Sequence, residues 1–229
     1  MIIILFCISS INSPDNSHDS EKIAETVDAD EELRYLSKPT MIMCNPNALY
    51  YQQMCVSPNA YWLNFMLKRD INVLVWNYRG YGGSTLGSCE TLSPYKCKRD
   101  AEYVMAFLVN NLCVRGRIGV YGRSIGGLTA CHLANKYNNL VKMLIVDRSF
   151  YELQPVLENK VKGRFTAKLF DLFSWSWRTR NHSNFATTNN CYKIIITDPL
   201  DDTVDIFGSL STGVASQIST YNYDTDQFR

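Results

Sequence analysis

The sequence predicts a mostly parallel, doubly wound α/β sheet, and three observations predict it. Short runs rich in Val, Ile and Leu lack the apolar–polar alternation of a half-exposed strand, as expected where both faces of a sheet are covered. Between them lie stretches with apolar side chains on helical spacing, the rhythm of βαβ units. Hydrophobic residues make up 46% of the 229 residues and charged ones 20%, which is enough apolar material for such a core and too much for a disordered chain.

The elements follow in order from Thr40. Met41–Cys44 is a short apolar run ending at Asn45-Pro46-Asn47, a strand feeding a turn. Ser57-Pro58 reads as an N-cap followed by Pro at the first helical position, and Trp62, Leu63, Phe65, Met66 and Leu67 continue on helical spacing. Val73–Trp76 is an unalternating strand. Ala101, Val104, Met105, Leu108 and Leu112 mark a helix, with Asp100 near its start where the dipole favours an anion. Ile118–Tyr121 is a strand, and Ile125, Leu128, Cys131, Ala134 and Tyr137 step along the side of a helix. Val141–Val146 and Tyr192–Thr197 read as two further buried strands, and Ile206–Ile218 as helix-like. No internal repeat is visible.

Length favours one domain with an insertion or loose ends, at ~150 residues per domain. The boundaries predicted are an acidic, poorly ordered leader over 1–38, the α/β domain over 39–220 and a polar tail over 221–229. The leader opens on MIIILFCISSI, too short to cross a bilayer, which needs ~20 residues. No Lys or Arg precedes Lys22 to make a secretory n-region. A short signal, an anchor remnant and a misassigned start remain the alternatives. Asp15–Glu32 holds eight acidic residues and one basic, read as solvated surface. Within the domain the strand–helix rhythm breaks at about 150–190. Over 151–190 seven aromatics, Trp175 and Trp177 among them, mix with six basic and three acidic residues, helical at Val156–Phe173. An ordinary core-packing helix and a lid over a cleft are both open readings.

Charge and cysteine content exclude several classes. Lys plus Arg number 23 against 22 Asp plus Glu, which lacks the basic excess of a nucleic-acid scaffold. Eight Cys without a C-x-x-C spacing give neither a disulfide scaffold nor a zinc site, and point to reduced thiols in an intracellular protein. Gly80-Tyr81-Gly82 is not a dinucleotide fingerprint, since Thr85 stands where its third glycine belongs and Pro94 interrupts the helix that should follow.

Chemistry concentrates at Gly122-Arg123-Ser124-Ile125-Gly126-Gly127, between the strand ending at Tyr121 and the helix beginning near Ile125. A serine at a sharp strand-to-helix turn takes a strained backbone, and close approach of strand and helix leaves room only for glycine at 122 and 126. The turn directs the Ser124 hydroxyl to the carboxyl edge of the sheet, where the helix N-terminus supplies free N–H groups. The bland counterpart is a glycine-rich turn around a buried, hydrogen-bonded serine. Read as a nucleophile, Ser124 needs two oxyanion donors. The geometry of the elbow makes Ile125 N–H one.

Over Met41–Val204 the chain resembles the α/β-hydrolase family of serine hydrolases. The resemblance rests on this elbow, on Asn45-Pro46-Asn47-Ala48 where relatives often carry His-Gly-Asn-Ala, and on the loop Asn77-Tyr78-Arg79-Gly80-Tyr81-Gly82-Gly83-Ser84. The branches most similar are the phosphatidylserine-lipase-like and acyl-thioesterase-like ones. The resemblance implies a second oxyanion donor in the Asn47-Ala48 stretch; Pro46 has no N–H, so Asn47 is the choice. It also implies a triad acid after the strand Tyr192–Thr197. Asp201-Asp202-Thr203-Val204 resembles the family's Asp-Glu-x-Val, which makes Asp201 the acid and Asp198 the runner-up. Three carboxylates cannot all be buried as charges in one place, so at least one is expected to face solvent.

The order Ser, Asp, His of this fold requires a histidine after the acid. The three histidines are His18, His132 and His182, all before Asp201. His132 lies eight residues along the helix from Ser124, ~12 Å at 1.5 Å per residue. His182 sits in the insertion, where only a moving lid would carry it to the serine. The expected last strand and histidine loop are missing, so the reading is of a C-terminally truncated enzyme whose histidine lies beyond Arg229. Loss of one triad member lowers kcat about 10⁴–10⁶-fold, so the chain as written should be a very poor hydrolase.

The function expected is a serine hydrolase cleaving an ester or thioester of an acyl chain, without metal or cofactor. Its partner would be a small acyl ester or lipid and not a nucleic acid. The basic, Trp-bearing lid would give peripheral contact with anionic membrane, in a cytoplasmic or membrane-peripheral protein, with secretory entry as a lesser alternative. A binding protein of the same fold that has lost its base is the competing class, and a peptidase is a third, since fold does not fix substrate.

Overall fold

The computed structural model describes residues 4–7, 29–47, 49–56, 60–84, 93–152, 179–201, 204 and 206–217. Their centre is a six-stranded sheet. β1 (Ile4–Cys7), β2 (Thr40–Cys44), β3 (Asn72–Trp76), β4 (Ile118–Arg123), β5 (Val141–Asp147) and β6 (Tyr192–Ile196) lie in the order β1-β3-β2-β4-β5-β6. β2 to β6 run parallel, and β1 pairs antiparallel with β3 at the edge, Ile4 opposite Trp76 and Cys7 opposite Val73. All five parallel strands therefore end at one edge.

Side-chain alternation along the strands divides the core in two. Ile42, Leu74, Trp76, Val120, Leu144 and Val146 face α4 (Pro94–Asn110) and α5 (Ile125–Lys136), which contribute Ala101, Val104, Met105, Leu108, Ala130 and Leu133. Met41, Met43, Val73, Val75, Tyr121 and Ile145 face the other way, toward Met54 of α2 (Tyr51–Met54) and Leu63 and Met66 of α3 (Tyr61–Leu67). The predicted doubly wound α/β sheet is thus present, with helices on both faces.

Several elements differ from the sequence reading. α4 starts at Pro94, capped by Ser93 Oγ, which accepts from Lys96 N–H at 3.3 Å. Asp100 is therefore in the second turn, and its carboxylate serves Arg79, accepting from Nε at 2.8 Å and from the backbone N–H at 3.0 Å. Within the stretch read as a leader lie β1 and α1 (Ala29–Leu36). The run at 192–196 forms its strand but is not buried: Tyr192 is 78% and Ile194 43% exposed. Among the described residues β6 is bonded only to β5, so its side chains lack the covering that an interior strand receives. The described part of the insertion ends in α6 (Asn181–Thr187), whose Phe185 joins the α4–α5 core. Its predicted helix at Val156–Phe173, Trp175 and Trp177, and also Ala48, Ser57-Pro58, Asp202 and the tail, lie outside the described residues. The segment read as Ile206–Ile218 is a turn over 206–208 followed by helix α7 at 210–217.

Candidate active site

One residue separates β4 from α5, and it is Ser124. Its backbone has φ 53° and ψ −121°, a conformation L-residues avoid. Three hydrogen bonds hold it there: Ser124 N–H donates to Asp147 O at 3.0 Å, while Ser124 O accepts from Gly127 N–H at 3.0 Å and from Ser149 Oγ at 2.7 Å. The glycines at 122 and 126 are required by space. A Cβ on Gly126 would lie 2.1 Å from Cys44 O, and one on Gly122 would lie 2.2 Å from Gly126 O. Helix α5 can cross the ends of β2 and β4 only because both positions are bare.

Ser124 opens on a cavity of about 480 Å³. Asn47 and Leu49, from the loop after β2, form one wall with Pro46; Arg123 and Arg148 form another; Asp198, Asp201 and Val204, beyond β6, close the third. The strand ends thus bring together four residues singled out in the sequence: Ser124, Asn47, Asp201 and Asp198. Ile125 is the first residue of α5, so its N–H has no acceptor within the helix. The Asn47 loop is fastened to the end of β3. Tyr81 Oη donates to Asn47 Oδ1 at 2.7 Å, Asn45 Nδ2 donates to Trp76 O at 2.6 Å, and Asn77 Oδ1 accepts from Tyr51 N–H at 2.8 Å.

The carboxylates sit in different surroundings. Asp201 is half-buried and accepts from Val204 N–H at 3.0 Å, whereas Asp198 is exposed and accepts from Leu200 N–H at 3.0 Å. Solvent therefore takes the runner-up, as the crowding of carboxylates requires. Beside them stands a group that the sequence reading did not single out. Arg148, at φ 46°, donates from Nε to Asp147 Oδ1 at 2.9 Å, and Tyr121 Oη donates to Asp147 Oδ2 at 2.6 Å. Burial, reinforced by the Asp147 carboxylate, pushes the Tyr121 phenol well above its ordinary range. The hydrogen bond to Asp147 and the nearby Asp201 hold Arg148 firmly charged. Arg123 and Arg148 thus line the cavity beside its two aspartates, with Arg148 paired to the buried Asp147. The signal that would have found Arg148 is its place directly after β5, since ligands of open α/β sheets bind beyond the strands' carboxyl ends.

Neither described histidine lines the cavity. His132 Nε2 lies 2.7 Å from Glu102 Oε1 between α5 and α4, and His182 packs edge-on against Tyr151, its Nδ1 3.4 Å from Tyr151 O. Among the described residues no group of three or more His, Cys, Asp or Glu could hold a metal ion, Cys44, Cys55, Cys97, Cys113, Cys131 and Cys191 are free thiols, and no helix is long and apolar enough to cross a membrane.

The family model described as alpha/beta hydrolase fold matches residues 48–189, more than half of the chain. The chain belongs to the α/β-hydrolase family. Among similar α/β-hydrolase structures, Est1E of Butyrivibrio proteoclasticus, bound to ferulic acid, superposes with a TM-score of 0.64 at 13% identity, over 94% of this chain and 81% of that one. The esterase Pf2001 of Pyrococcus furiosus gives 0.60 at 18% identity, over 79% and 67%. At such identities the likeness is one of fold. Protein bem46 of Schizosaccharomyces pombe is 32% identical over 89 residues, covering 38% of this chain and 28% of that protein. Phosphatidylserine lipase ABHD16A of Homo sapiens is 32% identical over 117 residues, covering 51% and 19%. The chain spans less than half the length of these two curated relatives.

Proposed function

We propose that this α/β-hydrolase chain carries the nucleophile, acid and oxyanion donors of a serine hydrolase that cleaves an acyl ester or thioester of a lipid-like substrate. The observation that carries the reading is the Ser124 backbone, held at positive φ on the rim of a cavity that Asn47 and Asp201 also line. Strain of this kind persists only where the surroundings over-determine it, and it collects at functional sites. Ser124 Oγ bonds to the acyl carbon as its proton passes to an imidazole, and the carbonyl π electrons move to oxygen. The N–H groups of Ile125 and Asn47 stabilise that oxyanion. Its collapse breaks the bond to the leaving oxygen or sulfur, which takes the proton; water then releases the acid by the same steps. Asp201 orients the imidazole. His132 and His182 are engaged elsewhere, so the proton acceptor comes from outside the described residues.

A lipid-like substrate and contact with a membrane surface are supported by the names of relatives, a phosphatidylserine lipase and the membrane protein YNL320W of Saccharomyces cerevisiae, 26% identical over 122 residues, 53% of this chain and 40% of that protein. One observation favours a second reading, a binding protein that holds an acyl ligand without turnover: no histidine among the described residues lines the cavity.

The test is labelling of the full chain with a fluorophosphonate. The expected result is one adduct, on Ser124, absent from Ser124→Ala. An adduct that persists in Ser124→Ala refutes the nucleophile assignment, and acyl-ligand binding with no adduct on the unaltered chain selects the binding protein.

A further inference from the structure

Among the described non-glycine residues at positive φ, Asp70, Cys113 and Asn190 lie in the connections leading to β3, β4 and β6. The other two, Ser124 and Arg148, come directly after β4 and β5, and both line the Ser124 cavity. A left-handed backbone is costly for a side chain as long as arginine's, so its surroundings must hold it there. Arg148 N–H donates to Ile196 O at 2.8 Å, its Nε donates to Asp147 Oδ1 at 2.9 Å, and its Nη2 lies 3.4 Å from Asp147 Oδ2. Asp147 is buried, and its Oδ2 also accepts from Tyr121 Oη at 2.6 Å. A buried carboxylate gripped by a phenol thus fixes one edge of the guanidinium. The opposite edge, at Nη1, makes no hydrogen bond among the described residues. Arg123, opposite Asp147 in the β4–β5 register, stands in the same wall and forms no ion pair among the described residues. The carboxylates of Asp198 and Asp201 belong to a different wall.

The geometry points to an anion subsite at Arg148 and Arg123, taking a phosphoryl or carboxylate group carried by an ester whose carbonyl lies at Ser124, with Asp147 and Tyr121 as positioning residues. The ester rests on the reading proposed above; the anion subsite rests on the two arginines. Desolvation selects the class. A substrate that fills the cavity takes water from the outer N–H donors of Arg148. A neutral ester leaves them without partners, whereas an oxyanion replaces that water with charge-assisted hydrogen bonds. Each such bond lost weakens binding about tenfold or more. Asp198 and Asp201 repel an anion from their own wall, which leaves the arginine wall as its place. Neutralising Asp147 alone would not need the guanidinium at the cavity, since an arginine turned into the protein would serve as well. Left-handed backbone at position 148 is what brings the pair to the serine's edge of the sheet.

The experiment is titration of the full chain with glycerol 3-phosphate, glycerate and glycerol, followed by ¹H–¹⁵N spectra. Position is read from the Nε–H signal of Arg148, assigned by its loss in Arg148→Gln, and affinity from the backbone amides around Ser124. At least one of the two anions is expected to move the Arg148 signal, and glycerol is not; whichever anion binds more tightly tells a phosphoryl from a carboxylate substrate. Arg148→Gln should weaken binding about tenfold or more, while Lys142→Gln, an equal change of net charge at an exposed site, should leave it within about twofold. Asp147→Asn separates aiming from charge. Removing a negative charge should tighten anion binding, but releasing the guanidinium should weaken it, and weakening is expected. Tyr121→Phe keeps every charge and should weaken binding about threefold, which serves should Asp147→Asn fail to fold. No movement of the Arg148 signal by either anion, an equal response to glycerol, or undiminished binding in Arg148→Gln overturns the subsite. Tighter binding in a folded Asp147→Asn, or unchanged binding in Tyr121→Phe, overturns the positioning role. Failure of the esterase reading is separate: it is the absence of a fluorophosphonate adduct on Ser124 while the anion still moves Arg148, and it leaves the subsite standing.

Discussion

Replacing Ser124 with glycine should make the protein more stable, and the size of the gain follows from its backbone. At φ 53° and ψ −121° the residue occupies a region that glycine enters freely and that costs other residues of order 1–3 kcal/mol. Glycine removes that strain but adds roughly 0.5–1 kcal/mol of unfolded-chain entropy. The net is a stabilisation of about 1 kcal/mol, or about 2–4 °C in Tm for a chain of this size. Little else changes. The three hydrogen bonds at the residue use its backbone N–H and C=O, and among the described residues its hydroxyl has no partner. Ser124→Ala is the control, because it deletes the hydroxyl but keeps the Cβ and therefore the strain; it should lie within about 0.5 kcal/mol of the unaltered protein. Urea denaturation followed by far-ultraviolet circular dichroism measures all three. If Ser124→Gly is no more stable than Ser124→Ala, the turn stores no strain, and the physical ground for reading Ser124 as a presented nucleophile is gone.

Gly126→Ala should cost about 3 kcal/mol or more, because its Cβ meets the backbone oxygen of Cys44 at 2.1 Å and α5 must back away. Gly119→Ala should cost under about 1 kcal/mol, because its one close contact is the movable thioether of Met41, at 2.8 Å, and Met143 Cβ at 3.5 Å is ordinary packing; urea midpoints that do not separate in this order count against the packing argument. Asp100→Ala should cost about 3 kcal/mol in the same assay, since Asp100 is fully buried and Arg79, only 20% exposed, loses its carboxylate. Burial, with Lys98 nearby, lowers the pKa of His132 below its ordinary 6.5 despite the opposing hydrogen bond to Glu102. The unfolded chain therefore takes up a proton that the folded one resists, and stability that is complete above pH 6.5 falls as the pH drops below it. His132→Gln should lose less stability between pH 7.5 and 5.5 than the unaltered protein does, by chemical denaturation at the two pH values.

Elements whose cause is local were legible in the sequence. Val73–Trp76 reads as an interior strand because β-branched residues with no polar face have few other uses, and Ser124 reads as an elbow because two flanking glycines admit a close crossing that their neighbours then supply. Elements whose cause is distant were not. Ile4–Cys7 is apolar enough for a strand, but only the free edge of β3 makes it one, in an antiparallel sense that a βαβ rhythm does not announce. Tyr192–Ile196 has the composition of a buried strand, yet burial is conferred by neighbours, and among the described residues β5 is the one strand bonded to it. Arg148 is invisible for the same reason. Its importance comes from register, which sets Asp147 opposite Arg123 and so brings the residue after β5 to the serine that follows β4.

The same reasoning explains why the Ser124 cavity lies where it does. From β2 the chain moves outward to β3, then crosses back to lay β4 on the other side of β2. The connection leaving β2 therefore sends α2 and α3 to one face of the sheet, while the one leaving β4 sends α5 to the other. Two connections that part in this way cannot both cover the strand ends between them, and a crevice is left at the point of divergence. Its walls are the first residues of each connection: Asn47 after β2 and Ser124 after β4. The elbow supplies the hydroxyl, but the reversal of strand order supplies the space in front of it.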